Sequence, residues 1–115
     1  MDQGEIWLVN LSPTVGAEIT KTRPCVIISS NEIGILPLKV IAPITDYKPR
    51  YDSVPWMVEL PLDGLSNLSK RSVVDLFQLR SVSQMRLIRN IGKVADVEFQ
   101  KILYAIKIVF GIYPS

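Results

Sequence analysis

The hydrophobic pattern changes period once along this chain, and that change limits the folds open to it. From Glu5 to Val94 the apolar residues come in short runs broken by Pro, Gly, Asn and Ser. Beyond Asp96, Phe99, Ile102, Leu103, Ile106, Val109 and Phe110 fall on one helical stripe. Short runs bounded by turn residues signal strands, whereas a sustained period of 3.6 signals an amphipathic helix. The expected architecture is mainly β with a C-terminal helix: a compact antiparallel barrel or strongly curved sheet, one side of which the helix covers.

Element boundaries follow from the breakers. Glu5 to Leu11 reads as a strand ending at Ser12-Pro13, and the polar stretch Thr14 to Thr22, with Gly16, reads as a loop. Pro24 to Ser29 and Leu38 to Thr45 are short apolar runs of the kind that form buried strands. Val54 to Leu60 is a further strand, which Pro55 places at an edge or a bulge. Ser72 to Arg80 reads as one strand and Ile88 to Val94 as a shorter one. Between them, Ser81 with Gln84 three residues on forms a capping box for a single helical turn. Asp96 is placed to cap the last helix and Gly111 to end it. The 115 residues leave room for one domain, residues 1–115, burying roughly two-thirds of its unfolded surface.

Absences narrow the chemistry. The chain has no histidine, which a Ser-His-Asp triad, a His-based metal site and a paired-His ribonuclease mechanism all require. Its one cysteine, Cys25, cannot build a zinc ribbon, and the apolar setting PCVII makes it a buried strand thiol. The net charge of +2 does not by itself announce a nucleic-acid partner, since phosphate recognition depends on where basic residues cluster. Lys101 and Lys107 interrupt the longest apolar stretch, short of the ~20 residues of a membrane span. The opening MDQGEIWLVN puts acidic residues before a short apolar run, the reverse of a signal peptide, so a cytoplasmic location is expected.

Several polar residues stand where chemistry is feasible. Arg23 precedes Pro24, which favours an extended backbone where loop meets strand, and Thr45 closes the strand VIAPIT. Glu18 lies in the loop before Arg23. Lys48 and Arg50, in DYKPRYDS, form a basic and aromatic cluster beside Thr45 that suits single-stranded RNA. Each also has a plain reading, as a surface ion pair, a common strand-end hydroxyl or a solvated loop.

Taken together, these residues resemble a known family. GEIWLVNLSPTVGAEITKTRPCVII resembles the opening of the MazF, PemK and Kid toxins, with a Gly-acidic strand, a Leu-x-Pro-x-x-Gly-x-Glu loop and Arg-Pro leading an apolar strand. VIAPIT resembles their third-strand motif, and SVVDLFQLRSVSQMRL their later strand and turn, Gln78 and Arg80 matching a Gln-x-Arg pattern. The resemblance runs from Gly4 to the final helix. It implies an SH3-like barrel or curved sheet of the type shared with CcdB, and a sequence-specific, ribosome-independent endoribonuclease that needs no metal or other cofactor. It further implies that Arg23 and Thr45 are the catalytic pair. A guanidinium can hold two phosphoryl oxygens as the 2′-hydroxyl attacks, and Thr45 can hold the phosphate or orient the 2′-OH, giving a 2′,3′-cyclic phosphate and a 5′-hydroxyl.

This chain departs from the family at the proton-transfer positions. Glu18 matches an acidic loop position, but Ala17 replaces the histidine that some members carry. Phe77 stands where many have an acidic residue before the glutamine. Asp75, two residues earlier on the same strand face, either takes over part of that role or is a solvated strand residue. Phe77 either stacks on an unpaired base or, as for most strand phenylalanines, belongs to the core, with Trp7 and Trp56. The implied partners are RNA, a second copy of the chain in a two-fold dimer that shares the RNA groove, and an acidic antitoxin segment that folds onto it. Two alternatives stay open: a CcdB-like poison that binds a protein such as gyrase, and an inactive relative that keeps only partner binding.

Overall fold

In a computed structural model that describes residues 1–113, seven strands form one antiparallel sheet: β1 (Glu5–Asn10), β2 (Thr22–Ile27), β3 (Leu38–Asp46), β4 (Met57–Leu60), β5 (Ser72–Asp75), β6 (Arg80–Ser83) and β7 (Leu87–Lys93). The helix α1 spans Asp96–Val109. The strand order is β4-β5-β3-β2-β1-β7, with β6 paired to β3 beside β5. Mainly antiparallel sheet plus a C-terminal helix is the expected class.

Alternation splits each central strand between two apolar clusters. Ile6, Val26, Ala42, Ile44 and Val74 point to the face covered by α1, where they meet Ile102 and Ala105. Val9, Cys25, Ile27, Ile41 and Val82 point the other way and form a smaller cluster with Leu11 and Leu87. Period two is the physical reason that adjacent residues of β1, β2 and β3 serve different cores.

The expected strand Ser72 to Arg80 is two strands. β5 pairs with the end of β3 (Ile44 with Val74, Thr45 with Val73) and β6 with its beginning (Leu38 with Ser83, Ile41 with Arg80). Between them the 3-10 turn Leu76–Gln78 leaves the ladder. The cause lies across the gap. The Ile28 amide bonds the Val40 carbonyl at 2.8 Å, so residues 40, 42 and 44 direct their backbone groups to β2 while 41, 43 and 45 face β5 and β6. Position 43 is Pro43, which has no N–H for that edge. The Asp75 carboxylate secures the turn by accepting the Phe77 amide at 3.0 Å.

Three smaller expectations are also corrected. The turn Gln84–Arg86 is capped by Ser83, whose hydroxyl accepts the Met85 amide at 3.2 Å, because Ser81 is paired inside β6. Ala95, not Asp96, is the extended residue at the start of α1, and Asp96 and Glu98 lie in the first turn, where their charge favours the helix N-terminus. β4 starts at Met57, after Pro55, and is an edge strand. Gly111 does end the helix. At φ +68° it lets the Ile112 amide reach the Lys107 carbonyl at 2.8 Å and its own amide reach Ile108 at 3.1 Å.

Candidate active site

The site is built on the face opposite α1. In β2 and β3 the paired residues end at Cys25 with Pro43; Arg23 and Thr45 lie two residues beyond that pair on their own strands, Arg23 opposite Val9 and Thr45 opposite Val73. Opposed residues of an antiparallel pair share a face, as do residues two apart on one strand, so the guanidinium and the hydroxyl stand on the side that carries Cys25 and Ile41. On β6, Arg80 is opposite Ile41 and belongs to the same face. The buried Cys25 thiol reports the neighbourhood electrically. Burial pushes it up to about 12, while the positive charges of Arg80 and Arg23 pull it the other way.

Arg23 is half-buried and anchored through Nε, which donates to the Thr20 carbonyl at 3.0 Å. Arg80 Nη1 donates to the Leu11 carbonyl at 3.0 Å. Among the described residues no carboxylate pairs with either guanidinium; the ion pairs are Arg71 with Glu59 and the N-terminal ammonium with Glu5. Two uncompensated guanidiniums on one face, beside a hydroxyl, make a surface suited to a planar oxyanion such as a phosphodiester.

A cavity of about 350 Å³ opens on this face, lined by Glu18, Ile19, Pro43, Phe77, Gln78 and Arg80 among others; Arg23 and Thr45 are not among its lining residues. Its outer wall is the loop between β1 and β2, which residues distant in sequence hold down. Gln78 reads that loop from both ends of its carboxamide: Oε1 accepts the Ile19 amide at 2.6 Å and Nε2 donates to the Ala17 carbonyl at 3.3 Å. Glu18, between them, is exposed and spends one oxygen on the Val15 amide at 2.7 Å. Arg86 completes the tether through the Asn10 and Ser12 carbonyls at 3.0 and 2.6 Å. Arg86 is not among the residues expected from the sequence. Its only signal was a basic residue in the turn that follows Arg80.

The remaining candidates separate. Asp75 is buried, not solvated, and its carboxylate caps the turn. It does not share a strand face with Phe77, because Phe77 is in the turn. Burial raises the Asp75 carboxyl above its usual range, against the Phe77 and Gln78 amides that lower it. Phe77 is not a core residue: it is 62% exposed, with its ring 5.3 Å from that of half-buried Trp56. Lys48 and Arg50 are exposed in and beside the turn Pro49–Ser53, outside the cavity lining, and the Arg50 guanidinium lies 5.1 Å from the Tyr51 ring centre.

An antiparallel sheet with a helix on one face and unpaired guanidiniums on the other defines a small β domain with a cationic face. Residues 2–110 match the PemK-like, MazF-like toxins of type II toxin-antitoxin systems, and the chain belongs to that family. It is 31% identical to an endoribonuclease MazF of Staphylococcus saprophyticus over 98% of this chain and 93% of that one. Among solved structures, MazF of Deinococcus radiodurans superposes with a TM-score of 0.80 at 21% identity, over 96% of each chain. A mycobacterial endoribonuclease in complex with its cognate antitoxin superposes with a TM-score of 0.78 at 18% identity, over 100% of this chain and 99% of that one.

Proposed function

We propose that this chain is the toxin of a type II toxin-antitoxin pair, a cytoplasmic, single-domain endoribonuclease that cleaves single-stranded RNA without the ribosome or a metal ion. The observation that carries this reading is Arg23, free of any carboxylate among the described residues and on the same sheet face as Thr45, in a chain that matches the toxin family over residues 2–110.

The chemistry follows from those groups. The 2′-OH beside the scissile bond attacks phosphorus, the bond to the 5′-oxygen breaks, and charge grows on the non-bridging oxygens. Because Arg23 is anchored through Nε, its two terminal nitrogens remain for those oxygens, and their attraction increases as the charge develops. The Thr45 hydroxyl orients the 2′-OH or holds the phosphate. Glu18 on the loop is the candidate acceptor for the 2′-OH proton, and the departing 5′-oxygen takes a proton from solvent; Asp75, buried and committed to the Phe77 amide, supports the turn instead. Arg80 adds positive charge to the groove, Gln78 fixes its wall, and Lys48 and Arg50 guide the strand towards Thr45. The products are a 2′,3′-cyclic phosphate and a 5′-hydroxyl.

A two-fold homodimer and an acidic antitoxin segment that covers Arg23 complete the reading. The mycobacterial structure with its antitoxin supports the second. The test is incubation of the purified chain with a long single-stranded RNA in excess EDTA. Cleavage to cyclic-phosphate ends is expected. Dependence on added metal would overturn the mechanism, and intact RNA under all conditions would return the chain to the protein-poison class.

A further inference from the structure

The turn that interrupts the sheet opposite Pro43 does more than join β5 to β6. It buries Leu76 completely and turns Phe77 outward, on the rim of the cavity that Arg80 and Gln78 also line. An exposed phenylalanine costs apolar hydration, and here the exposure is held in place from several sides. The Asp75 carboxylate takes the Phe77 amide at 3.0 Å, the Trp56 carbonyl takes the Leu76 amide at 3.1 Å, and the Trp56 ring lies against Phe77 at an interplanar angle of 54°. The ring is thus fixed before any ligand arrives, which keeps the ordering cost of binding low.

We infer that Phe77, backed by Trp56, is a stacking subsite for one unpaired nucleobase of the bound RNA. The inference rests on the ribonuclease reading and adds a ligand contact to it. Three features identify the occupant. The ring presents an apolar face to solvent; the cavity beside it, about 350 Å³, falls in the range of small-ligand sites of ~300–1,000 Å³; and the Arg80 guanidinium in its wall suits the phosphate joined to that base. A flat π-face flanked by positive charge fits single-stranded nucleic acid, and stacking of this kind is tolerant of base identity. Phe77 therefore sets how tightly a site is held more than which sequence is cut.

The test uses the full chain and short RNAs that carry one abasic nucleotide at successive positions around the cut. For the wild type, one position should raise KM by about 5- to 150-fold, the range of one lost stack, with kcat nearly unchanged. Phe77→Leu should raise KM similarly on the intact RNA and show no further loss with the abasic one, whereas Phe77→Trp should restore the wild-type pattern. A Phe77→Leu enzyme that matches wild type on every RNA, or that weakens only binding of a protein partner, overturns the subsite. A parallel binding series with RNA carrying a 2′-deoxy nucleotide at the cut separates the two claims. Phe77-dependent, base-dependent binding without cleavage of any RNA sinks the nuclease reading alone. Cleavage with Phe77-independent binding sinks the stacking subsite alone, and no RNA binding by the wild type sinks both.

Discussion

On the helix-covered face of the sheet, Ile6, Val26, Ala42, Ile44 and Ile102 meet side chain to side chain. One residue away along the same strands, the opposite face carries Arg23, Thr45 and a cavity that opens to solvent. The larger apolar cluster lies on the covered face, while the other face combines a smaller buried cluster, with Val9, Cys25, Ile27 and Ile41, and the reactive groups. The covered face gains from burial, roughly 25 cal/mol per Å² of apolar surface removed from water. That lets the other face keep guanidiniums unneutralised, an arrangement with little to offer folding and much to offer an arriving phosphate.

The comparison is broken most forcefully from the covered side. Ile102→Ala deletes a fully buried side chain between α1 and the sheet and should cost about 2–5 kcal/mol in chemical denaturation. Activity per folded molecule should stay at the wild-type level; a fall in that quantity would mean the faces are coupled. From the open side, Arg23→Ala should leave the denaturation midpoint within error and lower single-turnover cleavage by about 100-fold or more. Arg23→Lys keeps the charge without the fork and should be strongly impaired as well, with Thr45→Ala less so. If Arg23→Ala lost RNA binding alone, with cleavage intact at saturating protein, Arg23 would hold substrate without acting on it.

How much of this was legible in advance depended on whether the signal was local. The strand-end positions of Arg23 and Thr45 could be read from their own neighbours, Pro24 in one case and the run VIAPIT in the other, whereas the role proposed for them comes from the family resemblance. The run SVVDLFQLR carries nothing that says it breaks at Leu76, because the missing hydrogen-bond donor is Pro43 on another strand. The exposure of Phe77 was hidden for the same reason. An aromatic in an apparently continuous strand is normally core, and only the turn puts it outside. Asp96 was placed as the helix cap on residue type, yet the backbone enters the helix one residue earlier, at Ala95. Gly111 succeeded because a left-handed residue after an apolar stripe is a local requirement.

Two finer predictions sharpen the contrast at the margin of the open face. Gln78→Ala removes both hydrogen bonds to the loop, each worth about 1 kcal/mol, and should speed hydrogen exchange at the Ile19 amide while sparing the amides of β2 and β3. Unchanged protection at Ile19 would remove Gln78 from the loop's support. Smallest is the pH effect of Asp75. Its folded carboxyl titrates above the ordinary value, so the native state holds the proton more tightly than the unfolded chain does. Its contribution is most favourable below the unfolded pKa of about 3.9 and declines as pH rises towards the folded value. Asp75→Asn keeps an oxygen for the Phe77 amide and abolishes that decline, so its stability relative to wild type should improve as pH rises from about 4. A constant difference across that range would place the effect elsewhere.

The tethers on the loop between β1 and β2 also have a meaning in time. Gln78, Arg80 and Arg86 reach back 59 to 76 residues to hold segments that are synthesised near the start of the chain. β1 waits for β7 in the same way. During translation Arg23 and Thr45 leave the ribosome well before the residues that shape the groove around them, and long-range pairings of this kind form late. A nascent chain that stops before Leu76 has Arg23 and Thr45 and none of the three loop tethers. Synthesis of residues 76–93 is thus the step after which the groove around Arg23 can close on its tethers.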